Sequence, residues 1–204
     1  MTTDHESIHD AGEIKNADGR SVYLGLGTNI GDREANLQEA IERIKGLGLE
    51  IRRASSIYET EPVGYLDQPW FLNQVIQTDM TAGLTFNASD DEAEFIKAAA
   101  VSHPQLALLN ALQTIEREMG RKRTILNGPR VIDIDILLYG DQIAYAGEAI
   151  LTLPHPRLHL RRFVLAPLCE IAPRLVHPQL KKSCSQLLAA LDDASTVRVY
   201  RSHV

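Results

Sequence analysis

The chain has 204 residues, 44% of them hydrophobic and 24% charged, a composition typical of a soluble globular domain. A formal net charge of −6 and the lack of an apolar run of ~18 residues argue against a general nucleic-acid binder and against a membrane protein. The two cysteines fit neither a disulfide framework nor a metal-ligand spacing, which favours a reducing cytoplasm.

Strand and helix patterns alternate in the part of the chain before residue 81. Residues 1–20 are polar and without periodicity, which predicts a disordered tail. Apolar or alternating segments predict strands, and an apolar stripe at helical spacing predicts a helix. The predicted elements are a strand over 21–27, a helix over 32–46, a strand over 51–60, a turn-rich loop over 61–69 and a strand over 70–80.

A polar stretch over 81–103 is predicted as an insertion with a short helix near 91–100. The later elements are a helix over 104–120, a basic loop over 121–129, a strand ending at 138, a hairpin over 141–151, helices over 162–170 and 183–191, and a strand over 196–200. A hairpin needs antiparallel neighbours, so this order favours an α+β fold. We predict one ferredoxin-like layered domain over 21–204, with a mainly antiparallel sheet and helices packed on it.

Two aspartates stand one residue apart in the apolar segment GPRVIDIDILL, residues 128–138. Successive side chains of a strand point to opposite faces, so Asp133 and Asp135 share one face. The side chains predicted to pack on the other face are those of Ile132, Ile134, Ile136 and Leu138. Two close carboxylates repel each other, and Mg²⁺ bound together with water and phosphate oxygens would neutralise both. An exposed acidic edge strand that guards against aggregation is the alternative.

Basic charge is concentrated around these aspartates. Residues 121–162 hold seven Lys or Arg and four Asp or Glu, whereas the remaining residues hold 14 and 23. The guanidinium groups of Arg121 and Arg130 suit phosphate oxygens, although a solvated loop is the alternative. As loop arginines they are expected to contribute little to stability. Strict alternation puts Arg130 on the face opposite the aspartates, and a twist at the start of the strand would bring it round.

Two further motifs have a structural as well as a functional interpretation. The glycines of GLGTNIG, residues 25–31, lack the spacing of a nucleotide fingerprint, which favours a turn that ends the strand, with Asn29 as the helix cap. His155 and His159 have a helical metal-ligand spacing, but the adjacent prolines oppose a helix and a zinc site. His155 and Arg161 would then bind phosphate, or His155 is an ordinary loop histidine.

Phe71 and Asn73 lie on one face of the strand predicted over 70–80. An aromatic ring beside an amide suits a flat heterocycle that needs stacking and hydrogen bonds at its edge. A core residue beside a capped turn is the alternative interpretation.

Six segments, in order and spacing, resemble the 6-hydroxymethyl-7,8-dihydropterin pyrophosphokinase family. They are LGLGTNIGDR (24–33), SSIYETEPVG (55–64), DQPWFLN (67–73), IEREMGR (115–121), NGPRVIDIDILLYG (127–140) and LTLPHPRLHLRRFVLAPLCEIAP (151–173). The resemblance implies an enzyme with two small substrates, ATP and the pterin. Its reaction would transfer pyrophosphate from ATP to the pterin in folate biosynthesis and release AMP. The charge, the hydropathy and the two cysteines predict a cytoplasmic protein without nucleic-acid or membrane partners, and we expect a monomer.

The resemblance also implies a role for particular residues. Asp133 and Asp135 would bind two Mg²⁺ ions, and Arg121 and Arg130 would act in catalysis. The residues implied in ATP binding are Gln113, Glu116, Arg123, Arg130, His155 and Arg161. Those implied in pterin binding are Thr60, Val63, Gly64, Phe71, Asn73 and Phe163.

The chain departs from the family pattern at several positions. Asn127 stands where many members carry a tryptophan, and Pro156 stands where an aromatic residue can follow the histidine. The second hypothesis is a ligand-binding module without catalysis. It predicts that Asp133, Asp135, Arg121 or Arg130 is replaced by another residue type, and all four are present. A kinase that transfers a single phosphoryl group is the third hypothesis, and it would release ADP rather than AMP.

Overall fold

The computed structural model describes residues 21–79, 103–122, 125, 127–145 and 151–202. The predicted tail over 1–20, the helix near 91–100 with nearly all of the 81–103 insertion, and Arg123 lie outside these residues. The described elements are β1 (Ser21–Thr28), α1 (Arg33–Gly46), β2 (Glu50–Ala54), β3 (Tyr58–Thr60), β4 (Phe71–Asp79), α2 (Pro104–Glu118), β5 (Asp133–Tyr139), β6 (Ala144–Tyr145), β7 (Thr152–Leu153), a 3₁₀ turn (Leu158–Leu160), α3 (Arg162–Ile171), α4 (Cys184–Ala189) and β8 (Val197–Val199).

Six strands form one antiparallel sheet in the order β5-β1-β4-β3-β8, and β2 also pairs with β4. Helices pack on both faces of this sheet, which confirms the predicted α+β layered fold. The short strands β6 and β7 pair with each other as the predicted hairpin, although β7 lies just beyond its predicted end. None of the helices in the described ranges is long and apolar enough to cross a membrane.

The strand predicted over 51–60 is two strands, β2 and β3, which pair with successive parts of β4. The break lies at Ser55, whose amide and hydroxyl both bond to the backbone of Val75. A serine hydroxyl that accepts a hydrogen bond from a backbone amide takes the place of a carbonyl acceptor and interrupts the regular strand ladder. The next amide, that of Ser56, donates to the Glu170 carboxylate on α3. The side-chain hydrogen bonds at the break between β2 and β3 therefore join residues that are far apart in the chain.

Helix α1 begins at a cap that differs from the predicted one. Asp32, not Asn29, is the N-cap, and its carboxylate accepts a hydrogen bond from the Ala35 amide. The buried stripe of this helix packs with α2 on one face of the sheet, where it meets the apolar side chains of β1, β4 and β5. Helices α3 and α4 cover part of the other face. The uncovered part of that face lies over the ends of β1, β4 and β5.

Strand β5 contains a bulge that changes its predicted alternation. Leu24 of β1 pairs with Ile136, but the preceding residue Tyr23 pairs with Leu138, so Leu137 is the extra residue. As a result Leu137 and Leu138 both pack in the cluster formed with α3 and α4. The prediction that Leu138 packs with the three isoleucines was therefore wrong, because sequence parity does not hold across a bulge.

Candidate active site

A cavity of about 570 Å³ lies on the uncovered part of the sheet. Its floor includes Gly25 and Gly27, which lie inside β1, within the strand that the sequence predicted over 21–27. A Cβ atom on Gly27 would come within 2.9 Å of the Asn73 side-chain oxygen, and one on Gly25 within 3.3 Å of Leu137. Because glycine has no side chain, the cavity stays open above this part of β1.

One end of the cavity is aromatic and weakly polar. The six residues that the resemblance assigns to a heterocycle all line the cavity: Thr60, Val63, Gly64, Phe71, Asn73 and Phe163. Asn73 is 9% exposed, and its amide nitrogen donates to the Thr60 hydroxyl over 2.7 Å. This bond fixes the plane of the Asn73 amide at the cavity floor. A buried amide of fixed orientation can recognise the polar edge of a ligand.

The other end of the cavity contains the two aspartates. The Asp133 carboxylate lies 2.6 Å from Arg121 Nη2 through one oxygen and 2.6 Å from Arg130 Nη1 through the other. Arg130 reaches the aspartate face because it precedes β5, where strand alternation does not apply. The same guanidinium lies 5.2 Å from the ring centre of Phe71. Arg130 therefore connects the acidic end of the cavity with the aromatic end.

Among the described residues Asp135 forms no close ion pair with an arginine, although the charges of Arg161 and Arg121 oppose the rise of its pKa. Its carboxylate lies 4.0 Å from His155 Nε2, and its side chain is 43% exposed toward the cavity. Burial by the surrounding walls, followed by the charge of Asp133, raises the pKa of Asp135 above its ordinary range. A cation bound beside these carboxylates would relieve that repulsion. Two carboxylates are what Mg²⁺ commonly takes from a protein when water and phosphate complete its coordination.

Glu116 lies beneath Arg121 and does not line the cavity. Its side chain is 5% exposed, forms an ion pair with Arg121 and accepts a 2.7 Å hydrogen bond from the Ile134 amide. Burial raises the pKa of Glu116, and the Arg121 charge opposes that effect. Arg121 is thus 15% exposed and held on both sides, which corrects its interpretation as a solvated loop arginine. Gln113, on the same helix, does not line the cavity either.

His155 and Arg161 both line the cavity beside Asp135. Burial, and then the charges of Arg161 and Arg157, lower the pKa of His155 to about 4. Its Nδ1 atom accepts from the Arg157 amide, so the proton of the neutral ring lies on Nε2, which faces Asp135. His159 instead stacks edge-on with His177, and the structure does not bring it to the cavity. Within the described ranges no three His, Cys, Asp or Glu side chains are arranged to hold a metal ion.

The charges and hydrogen bonds of the cavity favour a polyanion. Among the described residues, five basic side chains and three acidic ones line it. The basic ones are Arg121, Lys122, Arg130, Arg157 and Arg161, and the acidic ones are Glu61, Asp133 and Asp135. Arg130 Nε is buried and has no hydrogen-bond partner in the described part of the chain. A phosphate oxygen at this point would satisfy that donor.

Asn29 is a site residue that the sequence interpretation missed. It is 2% exposed, and its side-chain amide bonds to Gln68, to the Pro69 carbonyl and to the Arg130 amide. Its own amide donates to the Arg130 carbonyl over 3.1 Å. The local pattern predicted a helix cap because asparagine is common at that position. No short-range pattern could have indicated a partner 101 residues away.

Comparisons with known proteins give one family model and several relatives. Residues 23–173 match the family model described as 7,8-dihydro-6-hydroxymethylpterin-pyrophosphokinase. Over 162 residues, 79% of this chain and 86% of the relative, the sequence is 39% identical to a 2-amino-4-hydroxy-6-hydroxymethyldihydropteridine pyrophosphokinase of Aquifex aeolicus. It is 36% identical to the Bacillus subtilis protein of the same name over 88% of this chain and 90% of that protein.

Longer relatives match over a small part of their length. The chain is 39% identical to the folic acid synthesis protein fol1 of Schizosaccharomyces pombe over 97% of its own length, but it spans 23% of that protein. A solved HPPK-DHPS structure in complex with substrates superposes with a TM-score of 0.53 at 15% identity, over 84% of this chain and 43% of that one. At this identity the superposition supports the fold alone.

Proposed function

The chain belongs to the 7,8-dihydro-6-hydroxymethylpterin-pyrophosphokinase family, and we propose that it transfers pyrophosphate from ATP to 6-hydroxymethyl-7,8-dihydropterin. In this reaction the pterin hydroxymethyl oxygen loses its proton and forms a bond to the β-phosphorus, and the bond from that phosphorus to the α,β-bridging oxygen breaks. The products are AMP and the pterin diphosphate, a step of tetrahydrofolate biosynthesis. The observation that carries the proposal is that one cavity has aromatic rings and an amide at one end and arginines and aspartates at the other.

The aromatic end suits the pterin. Asn73 would form hydrogen bonds with the polar edge of the ring, because its amide is held in place by Thr60. Phe71 and Phe163 would contact the flat faces of the ring, and Val63 and Gly64 would close the pocket from the loop over 61–69. The hydroxymethyl group would then point toward Arg130, which lies over Phe71.

The arginine-aspartate end suits the triphosphate of ATP. Arg121, Arg130 and Arg161 would bind phosphate oxygens, and neutral His155 would donate through Nε2. Glu116 would act through Arg121 by holding its guanidinium toward Asp133. Arg123 and Gln113 remain proposed ATP contacts from the family resemblance alone. Phosphoryl-type transfer is accelerated mainly by positioning and charge stabilisation, which these side chains supply.

We propose that Asp133 and Asp135 hold two Mg²⁺ ions together with the ATP phosphates. The raised pKa of Asp135 beside Asp133 and the two carboxylates on one strand face fit such a site. When bound, the ions would neutralise phosphate charge during the transfer. Arg130 and Arg121 already contact Asp133, so the same carboxylate would align the metal-binding and phosphate-binding groups.

Product analysis tests the proposed function directly. The protein is mixed with Mg-ATP and the reduced pterin, and the nucleotides are separated by ion-exchange chromatography. AMP in a one-to-one ratio with pterin diphosphate is expected. ADP with a pterin monophosphate would identify a single-phosphoryl kinase instead. Binding of both ligands without either product would identify a module without catalysis.

The Asn73→Ala variant should weaken pterin binding and leave ATP binding nearly unchanged. Removing the amide leaves the polar edge of a buried ligand unpaired, which costs about 1 to 3 kcal/mol. Calorimetry with the pterin alone, and with an ATP analogue alone, measures the two affinities. Asn110→Ala, at an exposed position on α2, is the matched control. Loss of ATP binding with intact pterin binding would mean that the two ends of the cavity are assigned the wrong way round.

We also propose that the protein acts as a monomer in the cytoplasm, with the two small substrates as its partners and without nucleic acid. Both cysteines, Cys169 and Cys184, are unpaired, as suits a reducing compartment. Light scattering during size-exclusion chromatography measures the mass in solution.

A further inference from the structure

A second cavity, of about 370 Å³, lies on the same face of the sheet as the candidate active site. Tyr23, in its lining, is two residues before Gly25 of the active-site floor on β1, so both residues face the same side of the sheet. Tyr23 of β1, Asp79 of β4 and Ala172 at the end of α3 mark the walls of this second cavity, which we call the distal cavity. The two cavities have none of their described lining residues in common.

The described lining of the distal cavity is mainly basic. Three arginines and one carboxylate contribute to it, namely Arg52, Arg53, Arg174 and Asp79. Arg52 Nε donates to Asp79 Oδ2 over 2.8 Å, and Arg52 Nη1 donates to Glu50 over 2.8 Å. The charge of Asp79 is therefore compensated by its neighbour on β2. An excess of basic groups in a concave site raises the local concentration of anions.

Arg53 connects this cavity with the end of α3. Its Nη1 atom donates to the Ile171 carbonyl over 2.7 Å. An arginine at the C-terminal end of a helix stabilises carbonyls that have no partner within the helix, which explains this hydrogen bond as a structural one. The bond uses one of the five N–H donors of a guanidinium. Arg53 is thus held beside the cavity by a bond that does not use up its donors.

Tyr23 is the residue that the fold itself does not explain. It is 4% exposed and lines the cavity, and its hydroxyl forms no hydrogen bond with another described residue. Burial raises the pKa of the Tyr23 hydroxyl, and the charge of Arg53 opposes that effect. The hydroxyl is therefore protonated at neutral pH and lies within range of the Arg53 charge. Polar groups of buried side chains nearly always have a partner, and a ligand oxygen beside Tyr23 and Arg53 would supply one.

The remaining wall of the distal cavity is apolar. Ala172 and Leu175 are 7% and 5% exposed, and both line the cavity. Its volume of about 370 Å³ exceeds that of a bare oxyanion and falls within the usual range of small-molecule sites. A ligand that fits has one charged end and a short apolar part.

We propose that the distal cavity binds a small organic oxyanion, a carboxylate or a phosphate ester. Its charged group would lie between the Tyr23 hydroxyl and the Arg53 guanidinium, and its apolar part would contact Ala172 and Leu175. The site is separate from the candidate active site, and the inference does not depend on the proposed function.

Nuclear magnetic resonance of the full chain, labelled with ¹⁵N, tests the proposal. The protein is titrated with butyl phosphate, with pentanoate and with neutral butanol at constant ionic strength. The amide signals of Tyr23 and Arg53 report on the distal cavity, and those of Arg130 and Asp135 report on the candidate active site. An anion that binds only to the active-site arginines is therefore recognised as such. Saturable shifts of the Tyr23 and Arg53 signals are expected with at least one of the two anions and not with butanol.

Two variants connect these shifts to the proposed contacts. Tyr23→Phe removes only the hydroxyl group, and Arg53→Ala removes the cation. Each should weaken anion binding at the distal cavity about tenfold, since each removes a hydrogen bond to a charged group. The response of the active-site signals should not change. Tyr145→Phe and Arg201→Ala, at exposed positions outside both cavities, are the matched controls and should bind like the wild type.

Tighter binding of butyl phosphate than of pentanoate would identify a phosphate site, the reverse would identify a carboxylate site, and either result supports the inference. Failure of both anions to shift the Tyr23 and Arg53 signals would overturn it. Wild-type anion affinity in Tyr23→Phe and Arg53→Ala, together with a lower melting temperature, would show that these residues only support the end of α3. That result would overturn the inference as well.

Discussion

Asp135→Asn should lower turnover by about three orders of magnitude, or ~4 kcal/mol in the transition state, while the fold stays intact. The hydrogen bond between Asn73 and Thr60 at the proposed pterin end does not involve this residue, so pterin binding should persist. The substitution keeps the size of the side chain and removes the charge that is proposed to bind Mg²⁺. Steady-state kinetics and pterin calorimetry measure the two effects.

A second readout concerns the metal and does not depend on activity. Binding of Mn²⁺ in the presence of an ATP analogue, followed by paramagnetic resonance, should weaken in Asp135→Asn. Asp141→Asn, at an exposed turn after β5, is the control and should bind Mn²⁺ like the wild type. Wild-type turnover in Asp135→Asn at saturating Mg²⁺ would remove Asp135 from the metal site.

The same variant should be more stable than the wild type at neutral pH without metal. Burial and the neighbouring Asp133 raise the pKa of Asp135, so the folded state keeps a proton that the unfolded state loses. The contribution of Asp135 to the free energy of unfolding therefore falls as the pH rises above about 4, the pKa of an aspartate in the unfolded state. The fall ends once the pH has passed the raised pKa of the folded state. Thermal melts should show a gain for Asp135→Asn at pH 8 that disappears near pH 4. Equal melting temperatures of Asp135→Asn and the wild type at pH 8 would contradict the repulsion between Asp133 and Asp135.

Arg121→Ala should lose both activity and stability. The substitution leaves the Glu116 carboxylate buried without its cation, and breaking such a pair costs about 3 to 5 kcal/mol in unfolding free energy. It also removes a proposed phosphate contact, worth about 1.5 to 3 kcal/mol. Urea denaturation and kcat measure the two losses. Arg117→Ala, exposed on α2, is the matched control and should change neither quantity much.

A double variant separates the two roles of Arg121. Glu116→Gln keeps an oxygen that can accept from the Ile134 amide and no longer needs a cation. Glu116→Gln combined with Arg121→Ala should therefore recover most of the stability and none of the activity. Recovery of activity together with stability would show that Arg121 acts by supporting the fold. An unchanged melting temperature in Arg121→Ala alone would contradict the buried ion pair.

Local patterns in the sequence predicted which side chains lie together in the candidate site. The alternation of β5 puts Asp133 and Asp135 on one face, and the same rule applied to β4 joins Phe71 and Asn73. These rules succeed because neighbouring residues on a regular strand have a fixed geometry. The six ordered motifs led to the family, and the interleaved strands and helices led to the α+β fold. Both were confirmed by the comparisons and by the sheet.

Local rules failed where pairing with a neighbouring strand changed the regular pattern. The Ser55 hydroxyl bonds to the backbone of Val75 and breaks one predicted strand into two. The bulge at Leu137 reverses the predicted direction of Leu138. In both cases the departure depends on pairing with another strand, which short-range periodicity does not describe.

The amino-acid sequence by itself determined which chemical groups the site contains: two carboxylates, several arginines, an amide and aromatic rings. The tertiary structure alone decided how these groups support one another. Glu116 lies beneath Arg121 because α2 packs against β5, and Asn29 reaches Arg130 because β1 and β5 are adjacent strands. Such contacts join residues far apart in the chain, and they form because folding buries polar groups that must then find partners.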